Sequence, residues 1–402
     1  MSELRDVKIV IPTPGYDFGW YDEGWRGVHR HRRYAHRRHT GRFRTTVDLH
    51  PVGLWNTTRP LLWLHEPDIL VTEISPPDSK GFCSFGQSLW NKKAQIREAR
   101  ARGRLVIAEV NEHLMRTFGD NFIHVSEFDY FVEHISSGRA ISAGSLGGRP
   151  LKPPEPYLQA IAGYVNELIQ DGDTLQIGVG RTTEPLVDLG VFDGKRDLGY
   201  HSEATAPGII RLVQEGVITG RHKTLHPGKV VVTSLGGSTR EQMEWANANP
   251  IFHLAELEYV TDIRTVAANH QMVALNNILA IDLSGQITAE SVNGRTISIA
   301  GGQVPFVIGA LLSEGGRSIH VLPSTAQGGR VSRILPELPA GSVVTVPRYC
   351  MDFVVTEHGI ARLWGKSLRE RADELIAVAH PDFRDELRYE ARRRLWTEGA
   401  GP

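Results

Sequence analysis

The feature that most constrains the fold is an alternation of short apolar segments with longer amphipathic ones, separated by turns rich in glycine, serine or proline. Residues 105–110 (LVIAEV) are typical of a buried strand, and residues 157–169 carry apolar side chains at helical spacing. Strands that alternate with helices predict parallel sheets with crossover helices. We therefore expect an α/β protein that binds its ligands at the carboxyl ends of its strands.

The same patterns predict elements along most of the chain, with a domain boundary near residues 185–200. We expect an N-terminal domain over residues 1–188, of which 1–60 are hard to interpret, and a C-terminal domain over 189–402. Strands are predicted over 7–11, 68–74, 105–110, 174–177, 230–234, 318–322, 342–346 and 353–356. Helices are predicted over 88–102, 157–169, 209–215, 240–248, 368–379 and 382–396.

Composition excludes several classes of protein. The 402 residues carry a net charge of −1, which gives no general reason to expect nucleic acid or an anionic membrane as a partner. Two cysteines suggest neither a disulfide framework nor a zinc site. The chain opens without a secretory signal and has no apolar run of about 18–20 residues, the length that spans a bilayer. A cytoplasmic protein without a metal is expected.

One stretch departs from this neutral background. Residues 26–44 contain eight arginines, four histidines and no acid. Such a run is either a solvated basic loop or a patch that meets the phosphates of a nucleotide-like ligand, because arginine pairs bidentately with phosphate. The sequence leaves both interpretations open.

Two glycine turns offer backbone N–H groups to an anion. Gly178 and Gly180 follow the predicted strand 174–177, and Gly301 and Gly302 precede a run of apolar residues. Closely spaced N–H groups of this kind can stabilise a developing oxyanion. Neither turn has the third glycine of a dinucleotide fingerprint or the lysine of a P-loop, so ordinary strand-to-helix turns are the alternative.

The candidate nucleophiles are Cys83 and Glu203. Cys83 lies beside a turn, where a buried structural thiol is the commoner outcome. Glu203 ends the sequence Gly199-Tyr200-His201-Ser202-Glu203, which in isolation is typical of a loop with a helix-capping serine. A carboxylate can nevertheless attack a thioester and form an anhydride without a general base beside it.

Several motifs taken together resemble the acetyl-CoA hydrolase/transferase family, in the family's order and over roughly residues 65–395. They are Ile74-Ser75-Pro76-Pro77-Asp78-Ser79-Lys80-Gly81-Phe82, Val110-Asn111, Leu175-Gln176-Ile177-Gly178-Val179-Gly180, Leu198-Gly199-Tyr200-His201-Ser202-Glu203, Asp282-Leu283-Ser284-Gly285-Gln286, Gly301-Gly302-Gln303, the run 324–332 and the run 355–361. The resemblance implies two related open-sheet α/β domains with the active site at their interface. The first 60 residues match poorly.

The resemblance also implies a ping-pong transfer of coenzyme A, which acts as a substrate and not as a bound cofactor. The family's catalytic glutamate falls on Glu203 and its backbone oxyanion donor on Gly302. The coenzyme A site would include Gly178, Gly180, Gly301, Gln303, Ser324 and Gly328. The acid substrate would meet Ser75 and His201. Arg181, which departs from the family, either recognises the carboxylate of the acid or faces solvent. The partners expected are an acyl-CoA, a small carboxylate and a second copy of the chain, most simply in a homodimer.

Three positions depart from the family pattern. Thr261 stands where the family has an asparagine at the oxyanion site, Pro305 replaces an aspartate, and Arg181-Thr182 replaces Ile-Pro. These changes leave four interpretations: a CoA-transferase, an acyl-CoA hydrolase with the same glutamate, an enzyme that passes the acyl group to another nucleophile, and a non-catalytic CoA-binding protein.

Overall fold

The computed structural model describes residues 67–134 and 155–395, and the backbone alone of 7–11 and 29–33. The strands are β1 Val7–Ile11, β2 His29–Arg33, β3 Ile69–Ile74, β4 Phe82–Ser84, β5 Leu105–Val110, β6 Phe118–Gly119, β7 Phe122–His124, β8 Tyr130–Glu133, β9 Thr174–Ile177, β10 Gly199–Ala204, β11 Val230–Ser234, β12 Phe252–Leu254, β13 Met272–Asn277, β14 Ala280–Asp282, β15 Ile287–Thr288, β16 Ser291–Val292, β17 Arg295–Thr296, β18 Arg317–Val321, β19 Thr325–Ala326, β20 Val331–Ser332, β21 Ile334–Leu335, β22 Phe353–Thr356 and β23 Gly359–Arg362.

The α-helices lie between the strands along the chain. They are α1 Lys92–Ala101, α2 Pro156–Leu168, α3 Glu184–Asp188, α4 Ile209–Gln214, α5 Arg240–Ala246, α6 Leu257–Val260, α7 Ile263–Ala267, α8 Gln303–Leu312, α9 Leu368–Ala377 and α10 Arg384–Leu395. Among the described residues, no helix is both long and apolar enough to cross a membrane.

A nine-stranded sheet forms the centre of the molecule, in the order β23-β22-β18-β13-β9-β10-β11-β12-β6. Every neighbouring pair is parallel except β22 and β23. From β9 the chain adds β10, β11 and β12 in one direction, and then returns to place β13 on the other side of β9. The gap between β9 and β13 is therefore the topological switch point, where open α/β sheets bind ligands.

Helices cover both faces of this sheet, which explains why its strands are continuous apolar runs such as VVVTS in β11. One face packs against α6, α7 and α8 through Val260, Val266, Phe306 and Ala310. The other face packs against α2, α4 and α5 in the largest apolar cluster. Because side chains alternate along a strand, His201 and Glu203 of β10 both lie on the face that carries α8.

A smaller parallel sheet, β3-β5-β8, precedes the large one in the chain. Its inner face packs against α1 through the buried Ile96 and Ala99. Parallel-rich sheets joined by helices confirm the predicted α/β class. The division between residues 188 and 189 stays a prediction, and the structure adds that β9, before this point, pairs with β10 and β13, after it.

Most predicted elements are confirmed within a few residues, and one predicted strand was wrong. Residues 342–346 form no strand: only Val346 makes a bridge, to Ile287, because the amide of Val343 donates to the Ser291 hydroxyl instead of to a neighbouring strand. Ser202 does not cap a helix, because it lies inside β10. The basic run 26–44 lies outside the described residues, apart from the backbone of β2.

Candidate active site

Glu203 is partly buried near the carboxyl end of β10, with both neighbouring strands in place beside it. Burial raises the pKa of its carboxyl from 4.5 to about 7, because the charged form loses its hydration. The backbone N–H of Gly302 faces the carboxylate and partly opposes that effect. The structure thus brings together the predicted nucleophile and the predicted oxyanion donor.

Gly302 is a glycine for reasons of space. A Cβ atom at this position would lie 2.6 Å from Oε2 of Glu203 and 3.3 Å from the ring of Phe306. Its φ of −86° suits any residue, so the close approach to Glu203 is what excludes a side chain. Gly302 also precedes α8, and the unpaired N–H groups at the start of a helix favour negative charge.

Gly178 and Gly180 are explained by two asparagines of the neighbouring strand. A Cβ on Gly178 would meet Oδ1 of Asn276, and a Cβ on Gly180 would meet Oδ1 of Asn277, both inside van der Waals contact. Asn276 also exchanges two hydrogen bonds with Gln176, at 2.9 Å and 3.2 Å. These amides lie at the switch point between β9 and β13. The signal for them was two consecutive asparagines at the end of the apolar run MVALNN, which the sequence analysis missed.

His201 lies beneath Glu203 and is fully buried. Its Nε2–H donates to the carbonyl oxygen of Val260 at 2.9 Å, which leaves Nδ1 as an unprotonated acceptor. Burial lowers the pKa of His201 to about 3, so the ring is neutral at physiological pH. Its contact with the acid substrate stays a prediction.

Gln303 follows Gly302 as the first residue of α8. Its side chain is buried, and its Nε2 has no hydrogen-bond partner within the described part of the chain. Gly301, before the pair, has a φ of +62°, a conformation that glycine adopts at little cost. An unpaired buried donor next to the Glu203–Gly302 contact is consistent with the predicted place of Gln303 in the coenzyme A site.

The remaining predicted site residues have different surroundings. The hydroxyl of Ser75 accepts from the Ser84 amide at 2.8 Å and donates to the Pro76 carbonyl at 3.0 Å. Ser324 is buried, and both its amide and its hydroxyl donate to Glu357. Gly328 and Arg181 are exposed, and their contacts with a ligand stay predictions.

Two of the departures from the family pattern have local structural explanations. The hydroxyl of Thr261 donates to the Leu257 carbonyl at 2.8 Å, so it caps the last turn of α6. Pro305 lies in the first turn of α8, where the backbone N–H that proline lacks would have no helical partner.

Other chemistry is poorly supported by the geometry. Cys83 is fully buried in β4, and burial raises the pKa of its thiol, so the reactive thiolate is disfavoured. Among residues 67–134 and 155–395, no group of three His, Cys, Asp or Glu side chains is placed to hold a metal ion.

A cavity of about 370 Å³ lies at the carboxyl ends of β5 and β8, in the smaller sheet, and Asn111 and His134 line it. Asn111 donates to Glu73 at 2.7 Å, and Nδ1 of His134 lies 2.7 Å from Glu109. These side chains are held by partners on the strands beneath them. The cavity therefore lacks the unpaired groups found around Glu203.

Comparison with known proteins identifies similar sequences over most of the chain. Residues 64–141 match the acetyl-CoA hydrolase/transferase N-terminal domain, and residues 238–391 match the corresponding C-terminal domain. The chain is 43% identical to 4-hydroxybutyrate coenzyme A transferase of Clostridium kluyveri, over 82% of this chain and 73% of that protein. It is 31% identical to acetyl-CoA hydrolase of Saccharomyces cerevisiae, over 58% of this chain and 45% of that protein.

Solved structures give the same result at the level of the fold. RipA from Yersinia pestis superposes with a TM-score of 0.86 at 32% identity, covering 98% of this chain and 88% of that one. A 4-hydroxybutyrate CoA-transferase from Porphyromonas gingivalis superposes with a TM-score of 0.75 at 31% identity, covering 97% and 94%.

Proposed function

Because the chain belongs to the acetyl-CoA hydrolase/transferase family, we propose that it moves coenzyme A from an acyl-CoA to a small carboxylic acid by a ping-pong mechanism at Glu203. The observation that carries the proposal is the contact between the Glu203 carboxylate and the Gly302 amide at the carboxyl end of β10. The relatives at 34–43% identity that are named as CoA-transferases support this reaction class.

The first half of the reaction loads coenzyme A onto the enzyme. An oxygen of the Glu203 carboxylate attacks the thioester carbonyl, the C–S bond breaks, and an acyl-glutamyl anhydride and CoA thiolate form. The thiolate then attacks the glutamyl carbonyl of the anhydride and expels the first carboxylate. The product is a glutamyl-CoA thioester, and Gly302 N–H faces the oxygen that becomes negative during this attack.

The second half repeats these steps in reverse with another acid. Its carboxylate attacks the glutamyl thioester, CoA thiolate leaves, and an anhydride forms again. The thiolate attacks the acyl carbonyl of this anhydride, which yields the new acyl-CoA and restores the Glu203 carboxylate. No proton transfer is required at any step, which agrees with a neutral His201 beneath the nucleophile.

The surrounding residues have proposed binding roles. Gly178, Gly180, Gly301, Gln303, Ser324 and Gly328 would line the coenzyme A site, and Arg181, Ser75 and His201 would line the acid site. A homodimer in the cytoplasm is part of the same proposal.

The test is incubation with a set of acyl-CoAs, with and without candidate acids. Transfer predicts a new acyl-CoA that contains the added acid, and a mass increase equal to coenzyme A minus water on the peptide that contains Glu203. CoA release at a rate that no acid changes would replace the transferase by the hydrolase, which the similarity to acetyl-CoA hydrolases favours as the second candidate.

A further inference from the structure

Thr233 lies beside Glu203 in the neighbouring strand β11. Ser202 pairs with Val232, and Ala204 pairs with Ser234, so Glu203 and Thr233 are opposite each other in a parallel register. Side chains at opposite positions point to the same face, and adjacent strands lie about 4.8 Å apart. The Thr233 hydroxyl is therefore on the α8 face, next to the nucleophile.

This hydroxyl is buried and has no hydrogen-bond partner within the described residues. The backbone of Thr233 is fixed, because its carbonyl oxygen accepts hydrogen bonds from the amides of Leu89 at 3.0 Å and Trp90 at 3.4 Å. An unpaired buried hydroxyl costs about 1–3 kcal/mol, so each such group calls for an explanation.

The other neighbours of Glu203 leave one direction without a side-chain donor. On the other side of β10 lies β9, in which Leu175 pairs with Tyr200. Continuing this register by three residues places Gly178 beside Glu203. Gly302 supplies one backbone N–H. His201, on the same face, uses its N–H for Val260 and presents an acceptor nitrogen. The unpaired Nε2 of Gln303 also lies near this contact and is assigned above to the coenzyme A site. Oxyanion sites commonly use more than one donor, and β11 is the side of Glu203 from which a second one can come.

We propose that Thr233 is a catalytic residue whose hydroxyl donates the second hydrogen bond to the glutamyl oxygen of Glu203 when the glutamyl carbonyl is attacked. The charge on that oxygen develops during formation and breakdown of the glutamyl-CoA thioester. Gly302 N–H meets the oxygen from the α8 side and Thr233 Oγ1–H from the β11 side. The inference rests on the proposed function, because it assigns a group to the same reaction.

The test compares Thr233→Val, Thr233→Ser and Thr174→Val in single-turnover experiments. Thr174 is a matched control: its hydroxyl is also buried and unpaired, and it lies on the same face but opposite Gly199, at the amino end of the sheet. Valine keeps the shape of threonine without the hydroxyl. The amount and rate of borohydride-trappable thioester at Glu203 are measured, together with melting temperature.

We expect Thr233→Val to slow the appearance of the thioester by about 100-fold, at the lower end of the range for removing one oxyanion donor, without changing its final amount. Thr233→Ser should keep the rate within about threefold, because it retains the donor. Thr174→Val should react at the wild-type rate. Loss of an unpaired buried hydroxyl should leave both valine variants at least as stable as wild type.

Three results would overturn the inference: a Thr233→Val rate within twofold of wild type, an equal loss in Thr174→Val, or a loss in Thr233→Ser as large as in Thr233→Val. If Thr233→Val does not fold, Thr233→Ala replaces it with the same expected loss. Failure of the proposed function is distinguishable, because the wild-type protein would then form no thioester at Glu203, and both proposals would fall.

Discussion

Two glutamates lie at the carboxyl edge of the nine-stranded sheet, and their carboxylates have different partners. Glu357, just after β22, accepts from the amide of Ser324 at 2.8 Å and from its hydroxyl at 2.5 Å. The Glu203 carboxylate, in β10, faces one backbone amide, that of Gly302, and burial raises its pKa to about 7. Glu357 is held as part of the structure, whereas Glu203 has one contact and unpaired polar neighbours. This difference indicates that the hydrogen-bond partners of a buried carboxylate separate a candidate nucleophile from a glutamate that stabilises the fold.

The strongest test of this difference is to make the same substitution at Glu203 and at Glu357. Glu203→Gln should lower CoA transfer by at least about 10³-fold, because an amide cannot form the anhydride or the thioester. Glu357→Gln should keep transfer within a few-fold, since a glutamine oxygen still accepts from Ser324. Both rates come from the same transfer assay with borohydride trapping. Equal losses of CoA transfer in the two variants, or a trapped adduct at Glu357, would show that the two glutamates do not differ in role.

The second effect concerns the single contact of Glu203. Gly302→Ala should lower the rate about 100-fold, corresponding to roughly 3 kcal/mol, because a Cβ displaces Oε2 from the amide that stabilises it. The control is Gly163→Ala in α2, where a Cβ meets no atom within 4 Å. Steady-state kinetics of the folded variants measures both, and a Gly302→Ala rate near wild type would contradict the oxyanion role.

Much of the fold around the two glutamates could be predicted from the sequence. Uninterrupted apolar runs such as β5 and β11 predicted buried parallel strands. The oxyanion role of Gly302 came from the family resemblance, since the glycine pair alone was equally typical of an ordinary turn. The surroundings of Glu203 were not predictable, because β13 lies beside β9 only through a return of the chain after β12. The local pattern carries no information on that pairing, so Asn276, Asn277 and Thr233 were missed.

Ser324 shows the opposite case, in which a motif was interpreted without its long-range partner. The Ser-Thr-Ala-Gln-Gly-Gly turn suggested a ligand loop, and the structure adds that Glu357, 33 residues later, accepts both Ser324 donors. A hydrogen bond between the ends of two parallel strands depends on the sheet order. Sequence spacing alone does not reveal it.

The pH dependence gives the third effect. Below a pH of about 7 the protonated form of Glu203 predominates, and the nucleophile is lost by about tenfold per pH unit. The acidic limb of kcat/KM should therefore have an apparent pKa near 7 instead of 4.5. Lys223 is the other group to control for, because burial lowers the pKa of its amine to about 7. This amine loses its charge as pH rises, and it donates to backbone carbonyls. The acidic limb should therefore persist in Lys223→Met. A limb near 4.5 would contradict the burial of Glu203.

The smallest effect tests whether Ser324 serves the structure, the coenzyme A site, or both. Ser324→Ala removes one of the two donors to Glu357, so the free energy of unfolding should fall by about 1–3 kcal/mol, measured by urea denaturation. If the hydroxyl belongs to Glu357 alone, KM for acyl-CoA stays within twofold of wild type. A rise in KM without loss of stability would assign Ser324 to the ligand. Glu357 would then be left with a single amide contact, as Glu203 is, and the number of donors would no longer separate the two glutamates.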